Sequence, residues 1–481
     1  MKQQTKANLA MGAFLCACLV PSVGMLVLPE EPAAANQTLA PAPVLITRDG
    51  KLNGQVLSEV TDYIEDHFAL RQRLITANAA LEGAVFRTSA QDSVLMGRDG
   101  WLFYRETVDD YLHTEALSER ELYGATRTLA LMTEYAETRG ARLAFTVAPN
   151  KASLYPEYLP YVGRPLEGQD DIDQLVPLLE EQGVEYIDLF SPFRERDEVL
   201  YHATDSHWNL RGAALAHDTL TAALGLEGRT EWFTQPGQET GTHKGDLYEM
   251  VYPTGGGTEP ETEFDRDFTF TYTRPMRSPE DMRIQTENPG RTGSLLMFRD
   301  SFGNTLHPFL AESCAQALFS RSMPYQLTLL DETGADTVLI ELVERNLNYL
   351  AHRAPVFPAP VRGLPVWPYG IAPASLWDPA DEPPQGEAAA AVTVRDNEAL
   401  ENSLRLEGYT RLEGSLSGPV DTDSPVYVRL GDTLYEASPV GEEGETPFTL
   451  YVPDGAVEPA QVLYLLDGQL TAAGETGVSR D

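Results

Sequence analysis

The chain has 481 residues, which allows two or three domains at about 100–200 residues each. Its 35 Lys and Arg stand against 73 Asp and Glu, a formal net charge of −38. A surface that acidic repels phosphate backbones and anionic headgroups, which argues against a nucleic-acid partner. Hydrophobic residues make up 42% of the chain, with 21 Tyr, 17 Phe and 5 Trp, so a sizeable core is available and general disorder is excluded. Cys16 and Cys18 lie in an N-terminal apolar run, which leaves Cys314 alone in the body. One thiol builds neither a disulfide framework nor a Cys-based zinc site.

Residues 1–36 read as a signal anchor or signal peptide. Lys2 and Lys6 precede an apolar stretch from Leu9 to Leu28, followed by the acidic, small-residue segment Pro29 to Asn36. The run is near the roughly 20 residues that span a bilayer, which favours an anchor. Ala33-Ala34-Ala35 would suit cleavage and secretion instead. Leu15-Cys16-Ala17-Cys18 has some likeness to a lipoprotein box, but the chain stays apolar after the cysteine. Each reading exports the remainder, so the body is expected to be extracellular or periplasmic. Residues 37–54, rich in Ala, Pro and Thr, read as a tether.

Residues 56–86 carry apolar side chains at helical spacing, from Val56 and Val60 to Leu81. Ser93 to Tyr104 predicts a strand, an Asp-Gly turn and a second strand. Helices are then expected over 117–138, 171–182, 209–224 and 305–314. Between them, strands are expected over 142–148, 184–189, 295–298 and 337–343. Short apolar strands alternating with helices predict an α/β fold, a parallel sheet flanked by helices over residues 55–353. In such sheets reactive groups sit at the carboxyl ends of the strands. Residues 354–394 are dense in proline and read as a linker. Residues 395–481 alternate in the two-residue period with Gly-Asp and Asp-Gly turns, predicting a small β-sandwich-like domain.

Two segments carry candidate chemistry. In Tyr201 to Gly212, Asp205 and His207 stand two positions apart before a helix, with Trp208 beside them. A carboxylate next to an imidazole fixes its tautomer and stabilises its cation, as a general base requires. The simpler reading is that Asp205 or Ser206 caps the helix, and spacing alone favours it. In Leu295 to Asn304, an apolar strand ends in Arg299-Asp300-Ser301, with Gly303 opening the next helix. A serine at such a turn is exposed beside helix N-terminal N–H groups and suits a nucleophile; again a cap is the competing role. That one chain offers both features at strand ends shifts the balance towards a shared site. His202 is a rival base, and His243-Lys244-Gly245-Asp246 reads more simply as a loop turn. No His and carboxylate spacing matches a metal motif, so no metal or cofactor is assigned.

Asp205-Ser206-His207-Trp208 with Gly212 resembles the Asp-x-His-Trp motif of the alginate O-acetyltransferase-like proteins and the DHHW family, within the SGNH hydrolase-like group. Further pieces fall in the same order: Asp66-His67-Phe68, Gly97 to Tyr104, Pro149-Asn150-Lys151, Gly245-Asp246-Leu247, Asp300-Ser301-Phe302 and Glu344-Arg345. The resemblance covers about residues 55 to 350. It implies Ser301 as nucleophile, His207 as base and Asp205 as orienting carboxylate. Ser206 stands where the family name has a second His, and the C-terminal domain, short and without an obvious aromatic platform, is not equated with the carbohydrate-binding module of the alginate enzyme.

The expected function is that of an O-acyltransferase, moving acetyl groups onto a cell-surface or secreted polysaccharide. The resemblance implies a membrane-bound O-acyltransferase as donor partner. Alternatives are a carbohydrate acetylesterase of the same fold and a non-catalytic polysaccharide-assembly protein. Arg345, Asn304, Trp101, Tyr104 and Trp208 are the candidate substrate-side residues. Flat aromatic faces suit the C–H faces of pyranoses, although a core role is the simpler one for the three rings. All three triad residues precede the linker, so the β-domain is expected to be dispensable for small esters.

Overall fold

The computed structural model describes residues 39–47, 50–168, 170–226, 230–362, 383–395, 403–431, 433–441, 446–455 and 459–480, with scattered positions among the first 31. The expected anchor therefore falls partly outside the described residues, as do residues 363–382 of the proline-dense stretch. Among the described residues no helix is long and apolar enough to cross a membrane.

The helical stretch after residue 55 is two helices, α1 (Val56–His67) and α2 (Arg71–Phe86). They break at Leu70, which adopts the left-handed conformation with φ of 65°. An antiparallel pair follows, β1 (Val94–Met96) and β2 (Leu102–Tyr104), turning through Asp99 and Gly100 with positive φ. A capping box starts α3 (Glu119–Glu137): Ser118 accepts from Glu121 N–H, while the Glu121 side chain reaches back to the Ser118 N–H.

The main sheet contains β3 (Arg142–Ala148), β4 (Glu185–Ile187), β7 (Thr271–Tyr272), β8 (Arg283–Glu287), β9 (Ser294–Phe298), β10 (Gln316–Ser320) and β11 (Thr337–Val343), in the order β4-β3-β11-β9-β10-β8-β7. A separate hairpin, β5 (Gly237–His243) and β6 (Glu259–Phe264), stands beside it. The five strands from β4 to β10 are parallel, as expected; β8 and β7 add an antiparallel edge. The sheet is therefore mixed.

Each parallel strand has apolar side chains on both faces because helices cover both. Phe145, Ile340 and Phe298 share one row and pack with Leu122, Leu129 and Met132 of α3. On the other face Ala144, Leu339 and Met297 meet α4 (Leu210–Ala223) and α5 (Gly303–Ser313). Buried Cys314 belongs to this second core, and burial pushes its thiol up to about 12, so it is a small hydrophobe and no nucleophile.

The C-terminal domain begins earlier than the sequence pattern suggests. Its first strand, Ala389–Arg395, pairs with Tyr409–Ser417 and with Glu475–Arg480, in an eight-stranded sheet wrapped round Leu412, Val428, Phe448, Leu450 and Tyr464. An Ala-rich run has weak strand propensity, so the pairing of its neighbours decides its state. The start of the expected linker is also fixed in place. Val356 bridges to Gln326, and Val361 bridges to Tyr435 of the β-domain.

The two parts share a buried ionic network. The carboxylate of Glu436 takes Arg127 Nε at 2.6 Å and Arg362 Nε at 2.6 Å. Arg362 reaches on to Glu134 of α3 at 2.7 Å. Arg120 donates to the carbonyls of Ser424 and Thr422 at 2.8 and 3.0 Å. The β-domain thus covers one face of α3.

Candidate active site

The nucleophile candidate is presented by the turn after β9. Asp300 turns the chain by accepting Phe302 N–H at 2.9 Å on one oxygen and Val343 N–H at 2.7 Å on the other. Its own N–H faces Glu341 Oε2 at 3.3 Å in the neighbouring strand. Glu341 is fully buried, and burial holds its carboxyl well above the usual range. Arg299 braces the turn from beneath, donating to Asn304 Oδ1 at 2.5 Å and to the Pro279 carbonyl at 2.6 Å. A Cβ at position 303 would stand 2.6 Å from the Arg299 side chain, so the close approach requires glycine there. No side chain caps α5. Ser301 is free of the capping role and its hydroxyl is available.

The base candidate rides on a small hairpin. Tyr201 and Trp208 form an antiparallel bridge at its stem, both almost fully buried, and Thr204 to Ser206 form its tip. The helix that follows is capped by Asn209, which accepts Gly212 N–H at 2.9 Å. Asp205 is therefore not the cap, and its carboxylate is free for His207. A Cβ at position 212 would lie 2.4 Å from the Leu200 carbonyl oxygen, which accounts for the glycine.

The two segments meet. His207 Nε2 lies 2.8 Å from Ser301 Oγ, and His207 Nδ1 lies 2.7 Å from Asp205 Oδ1. Because a carboxylate only accepts, Nδ1 carries the hydrogen and Nε2 presents a lone pair to the serine. Asp205 Oδ1 also accepts the His207 N–H at 2.9 Å. Its other oxygen accepts His243 Nε2 at 2.9 Å and Asp246 N–H at 3.0 Å. Burial resists the charge of Asp205, but the hydrogen bonds from His207 and His243 outweigh it and hold the carboxyl well below its ordinary range. Burial likewise opposes protonation of His207, and the Asp205 hydrogen bond and charge reverse this, raising the imidazole above its usual value. About a fifth of the His207 side chain, 22%, faces solvent. The pair is therefore reachable by a ligand.

The site has a second layer around the triad. Lys151, just past β3, is buried and points its ammonium at the carbonyls of Asp205, His202 and Ala203, at 2.5, 3.1 and 3.2 Å. Burial draws its pKa down to about 8. Ser206 donates to Asp246 at 2.6 Å. His202, the rival base, is turned away from Ser301: its Nε2 faces Glu261 at 3.0 Å and its Nδ1 faces Glu259 at 3.7 Å. Burial lowers its basicity, but the two carboxylates carry it up to about 9. Its partners thus favour the protonated ring, which makes it a poor proton acceptor near neutral pH. His202, His243 and Glu261 approach within 4.8 Å, close enough to hold an ion. Here the ligating atoms instead satisfy one another and Asp205.

The substrate-side candidates divide. Arg345 is half-buried and lies over the rings of Tyr104 and Phe302, with its guanidinium carbon 5.6 and 5.7 Å from their centroids. Tyr104 is half-buried too, with its hydroxyl on Glu106. Trp208 is fully buried and donates to Thr305 Oγ1 at 2.8 Å, so it offers no face to a sugar. Trp101 is stacked on Tyr158 with ring centroids 4.1 Å apart, in the core. Asn304 is spent on both ends of its amide, accepting from Arg299 and donating to Glu280. These three are structural.

The backbone donors near Ser301 divide in the same way. Phe302 N–H is taken by Asp300, and Asn304 N–H by the Ser301 carbonyl at 3.0 Å. Among the described residues, the N–H groups of Ser301 and Gly303 have no acceptor.

Residues 94–288 match the model of a family described as the SGNH hydrolase-like domain of acetyltransferase AlgX. A probable alginate O-acetylase AlgJ from Pseudomonas syringae pv. tomato is 27% identical over 203 residues, 41% of this chain and 50% of that protein. The protein of the same name from Pseudomonas aeruginosa is 29% identical over 216 residues, 42% of this chain and 51% of its own. The match thus spans about half the length of these curated relatives. The solved structure of a DHHW family protein from Eubacterium siraeum aligns with 53% of this chain and 91% of its own, at 18% identity and a TM-score of 0.40. Residues 94–288 are thus similar to the SGNH hydrolase-like domain of acetyltransferase AlgX, and the chain is similar to probable alginate O-acetylases.

Proposed function

We propose that this protein is a serine-dependent O-acyltransferase that moves acetyl groups onto hydroxyls of an exported polysaccharide. One observation carries the reading: Ser301, His207 and Asp205 form a hydrogen-bonded line of 2.8 and 2.7 Å at the carboxyl edge of the sheet. Ser301 Oγ attacks the acyl carbonyl while its proton passes to His207 Nε2. Asp205 stabilises the imidazolium, and the Ser301 and Gly303 N–H groups face the developing oxyanion. The imidazolium returns the proton to the departing alcohol as the acyl–oxygen bond breaks. A sugar hydroxyl, deprotonated by His207, then attacks the acyl-serine; the acyl–Oγ bond breaks, and the imidazolium returns the proton to Ser301 Oγ. The relatives named as alginate O-acetylases support the acetyl group and the polysaccharide acceptor.

On this reading the body works outside the cytoplasm, tethered through residues 9–28, and a membrane-bound O-acyltransferase supplies the acyl group. The basic, apolar and polar order of the first 36 residues supports it. The test is turnover of a chromogenic acetyl ester, with and without candidate glycans. Ester turnover that Ser301→Ala abolishes, with product partitioning to added glycan, is the expected result. A folded Ser301→Ala protein with near-normal turnover removes Ser301 from the mechanism. Turnover to free acetate only, unaffected by any glycan, makes the protein an esterase.

A further inference from the structure

Asp205 has two oxygens, and His207 uses one of them. The other is held from a different part of the chain by His243, at the end of β5, whose Nε2 stands 2.9 Å away. A carboxylate accepts only, so His243 Nε2 is the donor in either protonation state of the ring. The ring has little freedom to leave. It lies flat on His202, with centroids 3.7 Å apart and planes within 7°. His202 in turn is fixed by Glu259 and Glu261 on β6. The same two glutamates hold the base hairpin and the start of α4, Glu259 taking Ala203 N–H at 2.7 Å and Glu261 taking Leu210 N–H at 3.1 Å. Gly245 lets the segment after His243 press against the hairpin: a Cβ there would stand 2.1 Å from the Thr204 carbonyl oxygen.

We propose that His243 is a positioning residue for the triad, its Nε2–H fixing the Asp205 oxygen that His207 leaves free. The inference rests on the reading of Ser301, His207 and Asp205 as a triad. The β5–β6 hairpin is then the device that aims the carboxylate, and the line of groups runs His243, Asp205, His207, Ser301. Removing the His243 donor leaves Asp205 with less support on its outer oxygen, while Asp246 N–H and His207 N–H still hold it in place. Its negative charge then bears more on His207, and the imidazolium becomes easier to form. The other charged groups facing His207 are Asp246, 3.7 Å from Nδ1, and Arg345. His243 itself faces Asp205 and His202, with Glu259 and Glu261 behind the latter.

The experiment follows the His207 ring by nitrogen-15 NMR titration of the full chain, assigned with His207→Gln, in wild type, His243→Ala and His243→Gln. The expected result is an upward shift of the His207 midpoint in His243→Ala. A glutamine amide reaches the position of Nε2, so His243→Gln returns the midpoint towards wild type. Turnover of an acetyl ester falls about 10-fold in His243→Ala, the rate equivalent of one hydrogen bond to a charged group. That loss sits in kcat rather than KM. An unchanged or lowered midpoint in folded His243→Ala, or a glutamine variant that behaves like alanine, overturns the inference. Should His243→Ala fail to fold, His243→Phe keeps the stack on His202 and removes only the donor. The titration needs no turnover. An inert wild type with a shifted midpoint sinks the acyltransferase reading alone, and an active wild type with an unmoved midpoint sinks this inference alone.

Discussion

The indole of Trp208 donates to Thr305 Oγ1 across 2.8 Å and ties the base hairpin to the nucleophile helix. One partner adjoins His207 and the other lies one helical turn beyond Ser301, so this bond helps set the distance between base and nucleophile. Phe302 packs edge-on against the same indole, with centroids 4.9 Å apart.

Trp208→Phe keeps most of that packing and removes the N–H. We expect a loss of about 1 kcal/mol in stability, the worth of an ordinary hydrogen bond, and a clear fall in kcat. Thr305→Val is expected to match it, and the double variant to cost less than the two singles combined. Strictly additive effects in melting and in kcat would show that the bond does not set the geometry.

The second expectation concerns Asp205→Asn. The amide keeps the shape but loses the charge, and its N–H₂ competes for the acceptor side of His207. A fall in kcat of about 10²–10⁴-fold is expected, by analogy with other serine triads. Near-wild-type turnover in a folded variant would mean that Asp205 has only a structural role.

The pH dependence follows from the direction of the His207 shift. Burial opposes its charge, but Asp205 wins and raises the pKa above 6.5. Catalysis needs the neutral ring, so the acid limb of kcat is expected above pH 6.5. The raised value also means that the folded state holds this proton more tightly than the unfolded chain. Its contribution to stability is complete below the unfolded pKa and is lost as pH rises through the folded one. Activity and this part of the stability therefore change in opposite directions. Rate profiles and melts of wild type and His207→Gln over the same pH series check both limbs.

Glu344 gives a related test away from the triad. It is buried, accepts Asn150 N–H at 2.7 Å and Ser153 Oγ at 2.8 Å, and burial lifts its carboxyl to about 8. The protonated form stabilises the fold below the unfolded pKa, and that contribution is lost as pH rises through about 8. Glu344→Gln removes this dependence. Its melting temperature relative to wild type is expected to be higher at pH 9 than at pH 5. A difference that does not vary with pH would mean that Glu344 is already ionised at pH 5.

What the sequence made legible was set by local signals. β3, β9 and β11 read clearly because runs of three or four apolar residues within short segments leave few alternatives to a buried strand. Asp205, His207 and Ser301 stood out because each sits where a strand or hairpin hands over to a helix. His243 reads more simply as a loop turn, because it reaches Asp205 across 38 positions through a hairpin whose strands, GQETGTH and EPETEF, lack apolar alternation. Both are largely solvent-facing, so no period-2 pattern marks them. Trp101 and Trp208 illustrate the converse. An aromatic ring has the same composition in a core as on a binding face, and only packing distinguishes the two.

The last expectation reverses the one drawn from the proline-dense segment. A truncation before the β-domain was expected to spare small-ester turnover because the triad precedes it. In the fold, however, Glu436 is fully buried between Arg127 and Arg362, and Arg120 relies on the Ser424 and Thr422 carbonyls. Removing residues 384–481 would expose this face of α3 and leave its arginines without their partners. The truncated chain is therefore expected to aggregate rather than to remain an active core. A milder variant separates folding from chemistry: Glu436→Leu leaves the buried Arg127 guanidinium without its carboxylate and Arg362 with Glu134 alone, and should cost about 3–5 kcal/mol. Well below its lowered melting temperature, its kcat on a small acetyl ester should stay near wild type, since no triad group contacts Glu436. A soluble, monodisperse truncation that melts like the intact protein would show that the network contributes nothing. A Glu436→Leu protein that is folded but inactive would place the β-domain in the construction of the active site.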